Sequence, residues 1–421
     1  MKNIATIAAV MLLPLMGGKL VAQNTAADQL IEDVKFLSDD RLGGRLTGSP
    51  GADSAAAYLA RRFEQIGLQP SPMGWLQPFT IAEDAPVAQA TQLGGATGFN
   101  VIGILPGRDP DLREESVIVG AHYDHLGLGM FGALDPDSSG LVHNGADDNA
   151  SGAAALIHIA RRLSGDPPKR TVVFIAFGGE ELGLLGSGYY VRNPIYPLGR
   201  TVAMVNMDMI GRLRNNRLIV FGAETAVEFP ALLDSLNWYA GFDLKASGDG
   251  YGPSDHASFY AAGLPVMHVF TDLHEDYHRA SDEVYKISHD GLASVADFTT
   301  TIVEALANRT SPLTFVEAPR PSVAAGPSAS SGYGAYLGTI PDMTGGGPGV
   351  RLTGVSKGGP AEQGGIRSDD VIMRFGRFEI ANLQDLSTAL KSYKPGDEVL
   401  VVVLRGGVEH RAMVTLRRRG E

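Results

Sequence analysis

Two adjacent glutamates, Glu180 and Glu181, follow an uninterrupted apolar run, Thr171–Phe177, and a Gly178-Gly179 break. Neighbouring carboxylates resist joint ionisation unless a cation relieves them. Similar residues follow other apolar runs: Ser116–Ala121 leads into His122-Tyr123-Asp124-His125, Thr201–Val205 into Asn206-Met207-Asp208, and Leu264–Phe270 into a stretch ending in His274-Glu275-Asp276-Tyr277-His278. A Gly-Ala-Asp147-Asp148-Asn149 turn opens the helical stretch from Ser151. An Asp there need only cap a helix, and a lone strand-end His is usually structural. Their convergence on one class of position is what points to chemistry. The chain has no cysteine, so a metal here would take only N and O ligands, with zinc the default for mixed His/carboxylate sets. One ion needs about four ligands, and these runs supply more than one ion can use. Two ions sharing a carboxylate, roughly 3.5–4 Å apart, fit better. Spacing alone leaves His256, His268 and His274 as rivals to His278.

The elements that must hold these residues are readable. Strands are expected at Asn100–Leu105, Ser116–Ala121, Thr171–Phe177, Thr201–Val205, Arg217–Phe221 and Leu264–Phe270, with helices at Ser151–Leu163, Leu182–Val191 and Ala226–Tyr239 between them. This alternation predicts an α/β fold, a mostly parallel central sheet flanked by helices, whose functional crevice lies at the carboxyl ends of the strands. Asp28–Asp40 and Asp53–Ile66 carry helical periodicity, Ile287–Asn308 is a last amphipathic helix, and Trp75–Gly98 reads as irregular. Residues 311–332, rich in Pro, Ala and Ser, read as a linker, and 333–419 as a small β-rich unit with one helix at Leu383–Leu390.

A net charge of −12 argues against nucleic acid and anionic membrane as partners. Residues 1–22 combine Lys2, an apolar run at Ile4–Met16 and Leu20-Val21-Ala22, the pattern of a cleavable export signal rather than a membrane span, so the mature chain is expected to be periplasmic or secreted.

The motifs HYDHLG, NGADDNASG, FGGEELGLLGS, NMDMIGR and DYHRASDEV, in this order, resemble those of the secreted di-zinc aminopeptidases, the bacterial leucine aminopeptidase type. SDDRLGGRLTGSPGADSAAAYLARRFEQIGL is similar to that family's N-terminal helices, so the resemblance covers about residues 28–308, within a peptidase domain of 23–310. The resemblance implies two zinc ions bridged by Asp147, with a cis Asp147–Asp148 bond. One ion would add His122 and Asp208, the other Glu181 and His278. It further implies Asp124 as the partner of His122, Asp282 as that of His278, Glu180 as general base, and Tyr277 as the donor to the tetrahedral oxyanion. Peptides with free N-termini would be the substrates. Asp272 departs from the family, which tends to have glycine there. The pocket that sets specificity is expected between the loops Leu126–His143 and Ala246–Pro253.

AYLGTIPDM, GVRLTGVSKGGPAEQGGIRSDDVIMRFG and NLQDLSTALKSYKPGDEVLVVVLRGG resemble a bacterial-type PDZ domain at 333–419. That implies a loop, Tyr336-Leu337-Gly338, offering N–H groups to the C-terminal carboxylate of a peptide ligand. Pro341, in the strand that would receive the ligand, cannot donate to it. The rival readings are a carboxypeptidase or glutaminyl cyclase on the same scaffold, and a PDZ-based peptide adaptor whose metal site is structural.

Overall fold

The computed structural model describes residues 17–317 and 335–417, apart from short loop gaps at 84–87, 89–90, 136–137, 249, 342–347, 356–357, 382–384, 387–388 and 391. The expected export signal and linker lie mostly outside the described residues.

Four strands form the parallel centre of the larger sheet, in the order β5 (Thr171–Phe177), β4 (Ser116–His122), β6 (Thr201–Met207) and β9 (Val266–Phe270). Their residues are almost all buried, which is why they read as apolar runs without alternation. Successive side chains of β5 enter different cores. Val172, Phe174 and Ala176 pack among helices Gly17–Leu37, Pro50–Ile66, Gly152–Ser164 and His289–Asn308, whereas Val173, Ile175 and Phe177 join Tyr190 and Phe259 of the helices Leu185–Arg192 and His256–Ala261. The sheet is thus covered on both faces, as expected.

Its edges depart from the sequence reading. β3 (Thr97–Leu105) lies antiparallel to β5 and carries β1 (Gln69–Pro70) and β2 (Leu76–Thr80), so part of the stretch expected to be irregular is a strand. At the far edge β7 (Arg217–Phe221) runs antiparallel to β9 and pairs with β8 (Asp243–Ser247). The helix expected at Leu182–Val191 begins only at Leu185, because Gly183 (φ 103°) and Leu184 (φ 60°) are left-handed. The larger unit also extends past residue 310: Phe315 bridges to Ala226, and Val227 donates to the Thr314 carbonyl, so this stretch is part of the domain rather than linker.

The smaller sheet runs β10 (Thr339–Pro341), β11 (Val350–Val355), β12 (Val371–Phe375), β14 (Glu398–Arg405), β15 (Val408–Thr415), with β13 (Phe378–Glu379) on β12. It encloses its own core, including Leu352, Ile372, Phe375, Val401 and Val403. Of the helix expected at Leu383–Leu390, residues 385–386 and 389–390 are helical and the others lie outside the described residues.

Candidate metal centre and active site

The carboxyl ends of β4, β5, β6 and β9 converge. His122 is the last residue of β4, and its Nε2 lies 3.3 Å from Oδ1 of Asp148 and 3.2 Å from Oδ1 of Asp208, just past β6. On the other side His278 Nε2 lies 3.2 Å from Asp148 Oδ2 and 3.2 Å from Oε2 of Glu181, beyond β5. Asp148 therefore turns one oxygen to each of two His–carboxylate groups. A tetrahedral zinc ion with bonds of about 2.0–2.1 Å keeps neighbouring ligand atoms roughly 3.3 Å apart. The observed separations match that edge on both sides, so the residues present fit two such ions.

The second nitrogen of each imidazole is held by main chain, Nδ1 of His122 at 3.2 Å from the Asp124 carbonyl and Nδ1 of His278 at 3.1 Å from the Gly132 carbonyl. With the proton on Nδ1, the Nε2 lone pair faces the cluster, the tautomer a ligand needs. The Asp124 carboxylate, expected to do this for His122, is farther off at 3.8 Å; it accepts instead from Thr47 Oγ1 and from the Glu180 amide, steadying the start of the Glu180-Glu181 turn. Burial pushes Asp124 up to about 6, with His122 opposing and Glu181 adding.

Asp147, the expected shared carboxylate, points elsewhere. Its Oδ1 accepts the Gly211 N–H at 2.6 Å and its Oδ2 lies 3.0 Å from His274 Nε2. The carboxylate placed between the two histidines is that of Asp148, and the cis peptide is Asp148–Asn149, one bond later than expected. The physical reason lies at Asp282: its Oδ2 accepts from the amides of both Asp147 and Asp148, so it fixes this turn and does not serve His278 as expected. His274 is occupied by Asp147, leaving His278 in the cluster.

His125 lies in the HYDH run but had no assigned role. It is fully buried, and its Nδ1 lies 2.8 Å from Glu181 Oε1 and 3.9 Å from Asp148 Oδ2. The legible signal was a second histidine three residues after the first on the same strand end. Tyr277 stacks on the His278 ring, centroids 3.9 Å apart.

Burial opposes a proton on either cluster histidine, but neighbouring carboxylates outweigh it. Asp208, Glu180 and Asp148 hold His122 well above the usual imidazole range, and Glu181 and Asp148 bring His278 up to about 9. Those protons sit where a cation would, so metal and proton compete for the same lone pairs. Glu180 is grouped with His122 and Asp208. Burial pushes its carboxyl well up; His122 opposes this, while Glu181, Asp208 and Asp255 add to it. A carboxyl so raised holds a proton more tightly than an ordinary carboxylate does.

In the smaller unit Tyr336 and Arg417 exchange backbone hydrogen bonds, the Leu337 carbonyl accepts from Ala361, and Gly338 is left-handed at φ 78°.

A mostly parallel sheet with this cluster at its carboxyl edge is the arrangement of a zinc exopeptidase fold, and the comparisons agree. Residues 100–303 match the model of peptidase family M28 and residues 335–416 that of the PDZ domain; the chain carries a peptidase family M28 domain followed by a PDZ domain. It is similar to leupeptin-inactivating enzyme 1 of Streptomyces exfoliatus, 30% identical over 263 residues, covering 61% of this chain and 50% of that one. It is also similar to aminopeptidase YwaD of Bacillus subtilis (strain 168), 31% identical over 220 residues, 49% and 44% of the two chains. The chain thus spans half or less of the length of these two relatives. Among solved structures it resembles an aminopeptidase from Aneurinibacillus sp. strain AM-1, with a TM-score of 0.54 and 20% identity over 70% of this chain and 96% of that one, a likeness of fold.

Proposed function

We propose that the chain is an exported zinc aminopeptidase that removes N-terminal residues from peptides. The observation that carries this reading is Asp148, whose two carboxylate oxygens face two separate His–carboxylate groups at the spacing of zinc ligands, with the raised carboxyl of Glu180 alongside. His122, Asp148 and Asp208 would hold one ion; His278, Glu181 and the other oxygen of Asp148 would hold the second. Bound there, zinc would supply the Lewis acidity that polarises the scissile carbonyl and acidifies water. Glu180 then takes a proton from the attacking water and delivers it to the departing amine, and Asp124 keeps Glu180 in place through its backbone amide. Tyr277, next to His278, is assigned the developing oxyanion. A wholly structural metal site would have no use for a buried base beside its ligands. The PDZ domain is assigned a C-terminal peptide at Tyr336-Leu337-Gly338, and residues 1–22 an export role.

The test uses the purified chain on a mixed peptide pool, half of it N-acetylated, read by mass spectrometry after chelation, after zinc is restored, and in Glu180→Gln. The expected result is trimming of free N-termini only, abolished by chelation and by the substitution. Loss of C-terminal residues would reassign the enzyme as a carboxypeptidase. Loss of ammonia from N-terminal glutamine, with every peptide bond intact, would reassign it as a cyclase. No reaction with zinc bound would leave the PDZ adaptor.

A further inference from the structure

The stretch DRLGGR, noted in the sequence only for its resemblance to N-terminal helices, ends in a buried cation. Gly43, Gly44 and Arg45 are consecutively left-handed (φ 55°, 72° and 50°). A Cβ on Gly44 would come within 2.3 Å of the Gly127 carbonyl and 2.6 Å of the His143 carbonyl, so the backbone passes through a space only glycine fits. This turn drives the Arg45 side chain inward until none of it is exposed. A guanidinium so placed would ordinarily sit against a carboxylate. Instead, among the described residues, its hydrogen bonds go to main-chain carbonyls: Nε donates to Tyr123 at 2.8 Å, Nη1 to Leu37 and to Asn144 (2.6 Å), and Nη2 to Gly145 at 3.1 Å.

Those carbonyls are not scattered. Tyr123 lies between His122 and Asp124, and Asn144-Gly145 opens the turn that presents Asp148. Leu37 anchors both to the end of helix Gly17–Leu37. The Arg45 carbonyl accepts from the His125 amide, closing the same set of contacts from the other side. One side chain therefore ties together the two segments that supply a histidine and the shared carboxylate. The charges that offset it at longer range are Asp148 and Glu181 of the cluster, with Asp124 and Asp282 beside it.

We propose that Arg45 is a positioning residue that holds the His122 and Asp148 segments in ligand geometry before any metal arrives. This rests on the metal reading of the site. The two conceivable effects of Arg45 have opposite signs. As a mere nearby positive charge it would weaken zinc binding by repulsion, and its removal would tighten it. As a positioner its removal must weaken binding.

The experiment measures zinc affinity by chelator competition in the full chain, in Arg45→Met and in Arg45→Lys, alongside kcat and KM. If the wild-type chain binds no zinc, this inference and the metal reading fall together. Given wild-type binding, the expected result is a loss of zinc affinity of at least about tenfold in Arg45→Met, the scale of other residues that orient ligands. Arg45→Lys should recover part of it, and kcat should fall with KM little changed. Affinity within twofold of wild type, or tighter, in folded Arg45→Met overturns the inference, even with a lowered Tm. Should neither variant fold, hydrogen exchange on the wild-type chain decides. The amides of His125, Ala146, Asp147 and Asp148 should remain protected after zinc is stripped, and exchange as fast as exposed loops would overturn the proposal.

Discussion

The assignment of neighbouring aspartates to different tasks makes a sharp prediction, because Asp147→Asn and Asp148→Asn change the same atoms one residue apart. Asp147 is fully buried and accepts two hydrogen bonds, from the Gly211 amide and from His274. Asparagine keeps one acceptor and turns an NH2 group on the other donor. A lost charge-assisted hydrogen bond costs about 1.5–3 kcal/mol, and the donor left unsatisfied adds about 1 kcal/mol or more. The sum is about 3 kcal/mol, a fall in Tm of roughly 5 °C for a domain of about 300 residues. Nothing in that chain of contacts touches His122 or His278, so zinc stoichiometry should be unchanged. Asp148→Asn acts oppositely. It removes the anionic oxygen facing one of the two imidazoles and weakens the other. A residue that merely orients a ligand is worth about 10–100-fold in metal affinity, so losing a ligand should exceed 100-fold at one ion at least. The assay is zinc content by elemental analysis after dialysis against a weak chelator, paired with thermal unfolding of the stripped chains. Asp147→Asn should keep its zinc and melt early, whereas Asp148→Asn should retain one ion or none. Zinc lost from Asp147→Asn and kept in Asp148→Asn would refute the assignment.

Two further outcomes follow from single contacts. His125→Ala removes the 2.8 Å partner of Glu181 Oε1 and should weaken zinc binding by about 10–100-fold in chelator competition; an affinity within twofold of wild type would show that Glu181 needs no such support. In the PDZ domain, burial raises the Asp370 carboxyl, but the paired bonds from Arg405 (2.7 Å each) and the Arg367 amide outweigh it and hold it below the usual range. A depressed carboxyl contributes stability that is present above its unfolded value of 3.8 and is lost as the pH falls through its folded value. Hydrogen-exchange protection at Val401–Leu404, taken relative to the intrinsic exchange rate at each pH, should therefore fall below about pH 4, whereas Asp370→Asn, about 2 kcal/mol less stable at neutral pH, should show a flatter acid response. Equal acid slopes in the two chains would rule the pair out as the cause.

How much of this was legible follows from where the information lies. β5 coincides with its sequence range because both faces of this central strand are covered and the apolar run stops where the Gly178-Gly179 break ends the strand. β2 contains Gln77 and Pro78, tolerable only because it lies at an edge, and β8 has one clearly apolar residue, Leu244; neither carries a pattern a reader can detect. The gathering of His122, Glu180, Glu181, Asp208 and His278 was legible, because a parallel sheet brings the ends of its strands to one edge whatever the loops do. The choice between Asp147 and Asp148 was not. It depends on the Gly211 amide, His274 and Asp282, partners 64, 127 and 135 positions away from Asp147 along the chain.

Arg45 marks the same limit from the other side. In sequence an Arg after two glycines reads as a solvated loop charge, and only the left-handed turn sends it inward. A buried cation with carbonyl partners has no local signature, because its acceptors belong to every residue type alike. Yet it is the group that makes an acidic strand edge reasonable. Carboxylates brought together at the ends of four strands repel one another until something positive is fixed among them. Zinc does this only after the site exists; a guanidinium hydrogen-bonded to the ligand-bearing main chain does it while the site is being built.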